Sequence, residues 1–305
     1  MSIYIGIEGG GTQTRVLVQR DNDEPQYFKE PITLKFRRKD FSGSSQVFAE
    51  LLRYVLLEPG IPFEAPDAVA IGLSGMSRTE DQESLKKAIH QIPELAHVKL
   101  HIETDATLTL SAVLPEGEEG ILLIAGTGSV VFFQPRGGTP RRIGGWGPLL
   151  SDEGGGYRIG LRALNYYLRV LDGVYPPEAL SKAIANLLPK KLREDRIEIA
   201  RMAEKDAVFV ASLTPYAIEA SQALGPVHDL VYEELIELVT LIFPVFFPNV
   251  MSGEAPYKLY LSGSIAKHPI MLDILSNAFE EADLAPIPVD DRVPCLKALE
   301  IARRL

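Results

Sequence analysis

Apolar and polar positions follow two rhythms along this chain. Short runs rich in isoleucine, valine and leucine end in glycine or small polar residues, as buried strands do before a functional turn. These runs cover residues 3–7, 69–73, 100–102, 121–125 and 258–261. Apolar positions at helical spacing lie between them, in segments that begin at Ser44, Asp81, Arg158 and His228. Strands that alternate with helices predict an α/β fold.

A weak internal repeat divides this pattern into two halves. The first half opens with "IYIGIEGGGTQTRVLVQ" and the second with "GILLIAGTGSVVFFQ", each a strand, a glycine turn with a hydroxyl, and a second strand. Two similar halves imply a cleft between them, and the turn-rich segment "PEGEEG" marks the boundary. We therefore predict domains at residues 1–115 and 116–293, and a C-terminal helix at 294–305 that could pack on either half, the N-terminal domain included.

The composition excludes several classes of protein. The 305 residues are 46% hydrophobic, which is enough for two buried cores. Acidic residues outnumber basic ones 41 to 31, which argues against a nucleic-acid partner because phosphate-backbone binding needs a concentrated cationic face. The short basic run formed by Lys35, Arg37, Arg38 and Lys39 is read as a solvated loop or edge strand, or as the lining of an anion site.

The sequence also argues against a membrane protein and against sites built from several cysteines. The N-terminus has no signal-peptide pattern, and the most apolar segment, from Leu238, is too short to span a membrane. We therefore expect a cytoplasmic protein with no membrane partner. The single cysteine, Cys295, excludes an internal disulfide and a zinc site made of cysteines alone, and is read as a small buried side chain.

Two glycine turns occupy corresponding places in the two halves. A turn of this composition leaves backbone N–H groups open to phosphate oxygens and adds a hydroxyl donor, although one copy alone would equally suit a simple hairpin. A second copy favours a clamp on a polyphosphate. The candidate phosphate ligands are Gly10, Gly11, Thr12, Gly126, Thr127 and Gly128.

Two acids lie at strand ends near these turns. Glu8 would repel a phosphate unless a divalent cation lay between them, and Mg²⁺ suits such a carboxylate; otherwise it is an exposed strand-end acid. Asp105 follows a buried strand at the start of a helix, where it either caps the helix or accepts the proton of a substrate hydroxyl that attacks a γ-phosphoryl group. Glu8 and Asp105 are the candidate metal ligands.

A glycine turn in the second half and a glycine-rich segment with one tryptophan complete the candidates. In "LSGS", Gly263 and Ser264 either flank a purine and ribose or belong to ordinary packing of a strand on a helix. "GGWGPLLSDEGGG" contains the only tryptophan of the chain, Trp146, followed by Asp152. A linker would need no such residue.

Taken together, these motifs resemble the N-acetylglucosamine kinase group of the BadF/BadG/BcrA/BcrD ATPase family. The resemblance runs from "GIEGGGTQT" through "TDA", "AGTGS", "GGWG" and "SDEGGGYRIG" to "LSGSIAKHP". It implies two similar actin-like ATPase domains, which are ribonuclease H-like, with a cleft between them. It also implies an ATP- and Mg²⁺-dependent kinase that phosphorylates a hydroxyl of an amino sugar or related hexose, with a sugar and a nucleotide as partners and, by analogy alone, a homodimer.

The resemblance also implies roles for single residues. Thr12 with its glycines and Thr127 would take the ATP phosphates, Asp105 would be the general base, and Gly263 and Ser264 would lie near the nucleoside. The residues beside the sugar would be Asp105, Ser129, Gly145, Trp146 and Asp152. An indole covers the apolar face of a sugar ring, and a carboxylate accepts hydrogen bonds from its hydroxyls.

Departures from the family pattern leave alternatives open. Two asparagines of members that bind N-acetylglucosamine have no counterpart, because "PITLKFRRKDFSG" contains none and Val130 occupies the second position. A different sugar therefore remains an alternative. So does a nucleotide-binding regulatory or sensor ATPase of the same fold with no sugar kinase activity. The other branch of the family, dehydratase activators that hold a cluster through cysteines, does not match the place of Cys295.

Overall fold

The structure is a computed structural model that describes residues 2–10, 13–30, 41–56, 65–223, 225–246, 257–280 and 286–305. Its strands form two five-stranded sheets. The first sheet contains β1 (Ile3–Gly9), β2 (Thr14–Arg20), β3 (Gln26–Glu30), β4 (Ala68–Leu73) and β5 (Lys99–Glu103). The second contains β6 (Gly120–Ala125), β7 (Ser129–Gln134), β8 (Arg141–Ile143), β9 (Leu259–Ser262) and β10 (Pro286–Pro288).

Both sheets have the same topology. The strand orders are β3-β2-β1-β4-β5 and, read from the corresponding edge, β8-β7-β6-β9-β10. In each sheet the first two strands form an antiparallel hairpin, and the last two strands run parallel to the first. The predicted α/β fold of two similar halves is confirmed, and the repeat read in the sequence is a repeat of structure.

The helices lie between and beyond these strands. Those with both ends within the described residues are α1 (Phe41–Leu56), α2 (Thr79–His90), α3 (Asp105–Val113), α4 (Gly156–Leu171), α5 (Ala179–Leu187), α6 (Arg196–Lys205), α7 (Ala207–Ser212), α8 (Thr214–Ala220), α9 (Pro226–Thr240), α10 (Pro269–Ala278) and α11 (Val293–Arg304). The four helices predicted from periodicity are α1, α2, α4 and α9, and each begins two or three residues before the predicted start. Periodicity locates the buried face of a helix, and the first turn often lies outside that face.

The chain forms two compact units. The first unit comprises Met1–Glu116 and Val289–Leu305, and the second comprises Gly117–Pro288. Helix α11 therefore belongs with the first sheet, against which it packs along β1. This close approach depends on Gly6, because a Cβ atom there would lie 2.4 Å from the carbonyl oxygen of Cys295.

The first sheet is covered on both faces. One face packs its apolar side chains against α1 and α2, with Ile5, Ile7 and Ile71 nearly inaccessible to solvent. The other face meets α3 and α11, where Cys295 is fully buried and burial raises the pKa of its thiol to about 12. The interpretation of Cys295 as a small buried side chain is confirmed.

The second unit has a larger core, built between its sheet and the helices that follow β8. Side chains of β6 and β7 pack with those of α4, α9 and α10. Within the part of the chain that the structure describes, no helix is long and apolar enough to cross a membrane. The segment around the end of α9, singled out for its hydropathy, contributes Leu238, Val239 and Ile242 to this core.

Candidate active site

Asp105 is the first residue of α3 and not its cap. The cap is Thr104, whose side-chain oxygen accepts a hydrogen bond from the Thr107 N–H at 2.9 Å. The Asp105 carboxylate accepts one from the N–H of Ala106, also at 2.9 Å. The helix-capping interpretation of Asp105 is therefore wrong, because the preceding threonine is the N-cap and accepts the N–H of the third helical residue.

A glycine of β4 determines how closely Asp105 approaches the sheet. A Cβ atom on Gly72 would lie 2.6 Å from Leu108 Cδ2 and 3.2 Å from the Asp105 Cα. Since any larger residue would push α3 outward, Gly72 keeps Asp105 beside the ends of the parallel strands. Ligands of open α/β sheets bind at this edge, the carboxyl ends of the strands.

Glu8, at the end of β1, is engaged by a cation of the neighbouring strand. Arg15 donates to the Glu8 carboxylate and, at 3.0 Å, to Asp291. Burial would lower the pKa of Arg15, but the charge and hydrogen bond of Glu8 outweigh this effect, and the pKa is raised. The guanidinium therefore stays charged and offsets the negative charge of Glu8.

The first glycine turn connects these strands. The Gly10 N–H donates to the Gln13 carbonyl at 3.0 Å, which closes the turn. Gly11 and Thr12, both predicted phosphate ligands, lie outside the described residues. The basic run from Lys35 to Lys39 also lies outside them.

The second glycine turn, residues 126–129, is fastened to the start of α4. The Gly156 N–H donates to the Gly126 carbonyl, and the Tyr157 N–H donates to the Thr127 carbonyl, both at 2.8 Å. Gly155 packs directly against the turn, because a Cβ atom on it would lie 2.9 Å from Gly128 Cα. The glycines of "DEGGG" therefore allow a helix start and a hairpin turn to touch through their backbones.

The turn that contains Gly263 lies against the same hairpin. Its φ of 92° suits glycine, and a Cβ atom there would lie 2.3 Å from the Ala125 carbonyl oxygen and 3.2 Å from the Gly126 nitrogen. The Ala125 carbonyl also accepts a hydrogen bond from the N–H of Ile265 at 3.0 Å. Two predicted nucleotide segments of the second unit, which were distant in sequence, are thus adjacent.

Residues 144–155, here called the Trp146 loop, bring Asp152 to this hairpin. A Cβ atom on Gly128 would lie 2.6 Å from Asp152 Oδ2, so the carboxylate occupies the space that a side chain at position 128 would need. Asp152 adopts a left-handed φ of 62°, which is uncommon outside glycine, and its Oδ1 accepts the Gly147 N–H at 3.3 Å. Burial raises the pKa of the Asp152 carboxyl; the Gly147 N–H opposes this rise, and the charge of Glu153 adds to it.

Trp146 lies in the open part of the loop. It is 65% exposed, and the guanidinium of Arg142 lies 4.5 Å from the centre of its ring. Gly145, with φ 73°, approaches Val130 so closely that a Cβ atom would lie 2.7 Å from that side chain. An indole this exposed adds little to the core and is available to a ligand.

A family model confirms the resemblance found in the motifs. The model of the BadF/BadG/BcrA/BcrD ATPase family matches residues 5–291. The chain belongs to this ATPase family. Its two similar sheets and its likeness to solved actin-like proteins, including a filament-forming MamK with a TM-score of 0.56, confirm the predicted actin-like α/β fold.

Several proteins named as sugar kinases are similar to this chain over much of its length. It is 31% identical over 216 residues to the N-acetylmuramic acid/N-acetylglucosamine kinase of Clostridium acetobutylicum, covering 70% of this chain and 69% of the relative. It is 28% identical to the N-acetyl-D-glucosamine kinase of Dictyostelium discoideum, covering 92% and 90%. The crystal structure of a Chromobacterium violaceum protein, provisionally named an N-acetylglucosamine kinase, matches the structure of this chain with a TM-score of 0.75. The two sequences are 22% identical, and the match covers 99% of both chains.

In this family member, a network of polar residues holds the Trp146 loop in place, and Ser129 was predicted as a site residue whereas Ser151 and Glu234 were not. The buried Ser129 hydroxyl donates to the Glu153 carbonyl at 2.6 Å, and Ser151 joins the Gly145 N–H to the Glu153 carboxylate. Glu234, on α9, is 2% exposed and pairs with Arg158. The sequence carried one signal: Glu234 shares a helical stripe with the apolar Val227, Val231 and Leu238, where an acid is out of place.

The described part of this family member contains no group of three or more histidine, cysteine, aspartate or glutamate side chains that could hold a metal ion alone. Mg²⁺ in phosphoryl-transfer sites, however, is usually bound through one or two carboxylates and the substrate phosphates. Asp105 offers such a carboxylate, and Glu8 shares its own with Arg15. The oxygen donors present therefore fit magnesium held jointly with a nucleotide.

Proposed function

We propose that this protein is an ATP- and Mg²⁺-dependent kinase that phosphorylates a hydroxyl of an amino sugar or related hexose. Membership of the ATPase family supports the use of a nucleotide. The similarity to two named sugar kinases, from Clostridium acetobutylicum and Dictyostelium discoideum, supports the class of acceptor. The observation that carries the proposal is the contact between Asp152 and Gly128, because it joins a carboxylate suited to sugar hydroxyls to a turn suited to phosphates.

The second unit would bind the two substrates side by side. Backbone groups of Gly126, Thr127 and Gly128 would receive phosphate oxygens, and the adjacent Gly263 and Ser264 would lie along the nucleoside. Ser129, Gly145, Trp146 and Asp152 would form one wall of the sugar site. An indole face and an acceptor carboxylate on one loop match the two surfaces of a hexose, its apolar ring face and its hydroxyl rim.

The first unit would supply the chemistry. Asp105 would accept the proton of the attacking hydroxyl, since Thr104 and not Asp105 is the cap of α3. Gly10, Gly11 and Thr12 would bind phosphate oxygens. Glu8 and Asp105 would hold Mg²⁺, which would offset phosphate charge. Arg15 keeps the Glu8 carboxylate from adding an uncompensated negative charge to a site for an anion.

A coupled assay of ADP release tests this proposal. ATP, Mg²⁺ and the protein are incubated with a panel of hexoses that includes glucosamine, N-acetylglucosamine, N-acetylmuramic acid and glucose. The proposal expects ADP release to increase with one or a few of these sugars, and the matching sugar phosphate to appear in equal amount. Slow ADP release that no sugar changes would contradict it and would favour a nucleotide-binding sensor ATPase.

A further inference from the structure

The buried acid Glu234 has no part in the proposed chemistry, yet the structure surrounds it with donors. Arg158 donates to it twice, from Nε to Oε2 at 3.0 Å and from Nη2 to Oε1 at 3.1 Å. Arg162 lies 3.4 Å from Oε1, and the Gly154 N–H donates to Oε2 at 3.3 Å. A buried carboxylate is costly unless it is paired in this way, so the geometry around Glu234 is tightly constrained.

The Glu234–Arg158 pair contacts the Trp146 loop on both sides of Asp152. On one side Glu234 accepts the Gly154 N–H, and Gly154 packs so closely on α9 that a Cβ atom would lie 2.9 Å from Leu238 Cβ. On the other side Arg158 Nη1 lies 3.5 Å from the Ser151 carbonyl and 4.0 Å from Glu153 Oε1. The pair therefore fixes the residues that flank Asp152 without touching Asp152 itself.

Asp152 needs this support because its backbone is unfavourable. Its left-handed φ of 62° persists only when the surrounding structure imposes it. Gly154, two positions later, has a φ of 67°, which glycine adopts without steric cost, so the strain lies at Asp152. Helix α9 supplies the fixed point, since Glu234 lies in its middle and is flanked by the buried Val231, Leu235 and Leu238.

We propose that Glu234 and Arg158 are positioning residues that hold the Trp146 loop in the conformation that binds the sugar. This inference rests on the proposed function for its substrate, but the loop conformation can be measured without any substrate. The pair acts through Gly154 and Ser151 on the presentation of Asp152. Loss of the pair should weaken sugar binding and leave ATP binding nearly intact.

The test compares Glu234→Gln with Glu233→Gln in the full chain. Glutamine keeps the size of Glu234 but removes the charge that Arg158 and Arg162 share. Glu233 is the matched control, because it is an exposed acid on the same helix that pairs with Arg162. Loss of a charged hydrogen bond predicts a rise of about 10-fold in KM for the sugar, with KM for ATP changed less than about 2-fold. The control should leave both constants unchanged.

Acrylamide quenching of Trp146 fluorescence gives a second measurement that needs no activity, since the chain has one tryptophan. Glu234→Gln should increase quenching in the free protein, and Glu233→Gln should not. Arg158→Lys, which keeps the charge but not the two-point contact, should fall between the wild type and Glu234→Gln. Circular dichroism establishes that each variant is folded.

Each outcome decides one of the two proposals. Unchanged quenching in folded Glu234→Gln, or equal rises of KM for sugar and for ATP, would overturn the positioning role. Increased quenching, in a protein whose wild type phosphorylates no sugar of the panel, would support the positioning role and contradict the proposed function.

Discussion

The two units hold their candidate residues by different means. In the first unit, the candidate residues contact partners on the same or the adjacent element. Asp105 accepts a hydrogen bond from the N–H of the next residue of its own helix, and Glu8 forms an ion pair with Arg15 on the adjacent strand. In the second unit, Asp152 lies in a strained loop whose position depends on Glu234, 80 residues beyond the Gly154 that it contacts. Changes at Asp105 should therefore affect the chemical step, whereas changes in the Trp146 loop and its supports should affect sugar binding, even from a distance.

The largest effect expected from this comparison comes from the first unit. Asp105→Asn removes the proton acceptor and keeps the shape, so turnover should fall about 100- to 10,000-fold. ATP binding, measured by calorimetry, should persist. Glu103→Gln, two residues earlier, is the matched control, because its carboxylate contacts His101 and has no assigned role in the reaction. Near-full activity of Asp105→Asn would show that Asp105 is not the general base.

A methyl group in the second glycine turn should disturb the second unit. Gly128→Ala places Cβ 2.6 Å from Asp152 Oδ2, and such overpacking costs about 1–3 kcal/mol. A cost of this size that falls on the sugar-binding conformation lowers sugar affinity about 5- to 150-fold. Gly126→Ala adds the same methyl group to the same turn, where it meets nothing within 4 Å. The emission of Trp146 should shift in Gly128→Ala alone. Equal shifts in both variants would mean that Asp152 does not depend on contact with the turn.

Removal of the indole should separate the two substrates. Trp146→Ala should lower kcat/KM for the sugar about 10-fold, in line with the loss of one aromatic contact, and leave ATP affinity and thermal stability nearly unchanged. The stability expectation follows from the 65% exposure of the side chain. Steady-state kinetics with each substrate varied in turn measure the difference. Equal losses for both substrates would make the loop a structural element only.

The smallest expected effect concerns pH. Sugar binding through Asp152 needs its ionised form, so binding should weaken as pH falls through the pKa of this carboxyl. Because burial raises that pKa above 3.8, the loss should begin at a higher pH than for an ordinary aspartate. Sugar titrations at several pH values, within the range where circular dichroism is unchanged, measure the midpoint. Asp152→Asn should bind more weakly with no such midpoint, and a midpoint at or below 3.8 in the wild type would contradict this assignment.

Local sequence predicted the parts of the fold that have local causes. The two hairpins, the strands on which they are built and four helices follow from apolar periodicity and glycine turns, and all are present. The threonine and aspartate of "ETDATL" are both common caps, and only the hydrogen bond to Thr107 distinguishes Thr104 as the one in use. The short helices α5 to α8 were not predicted one by one, because they pack against α4 or against one another and not on a sheet with a regular pattern.

Remote partners explain what the sequence could not predict about the site. The acid of Glu234 is visible on an apolar stripe, but its pairing with Arg158 joins residues 76 positions apart. The left-handed backbone of Asp152 is likewise imposed by tertiary contacts, since aspartate does not require it. The sequence was therefore sufficient to nominate candidate residues, but it did not predict the tertiary contacts that hold them in place.

In the proposed kinase, the Trp146 loop is a wall of a sugar site beside a phosphate-binding turn. Titration of the single tryptophan's fluorescence with sugars and with ATP tests it most directly. We predict a saturable change in Trp146 emission with at least one amino sugar or hexose, a smaller change with ATP alone, and loss of the sugar response in Asp152→Asn. A change with ATP, and none with any sugar of the panel, would contradict the claim.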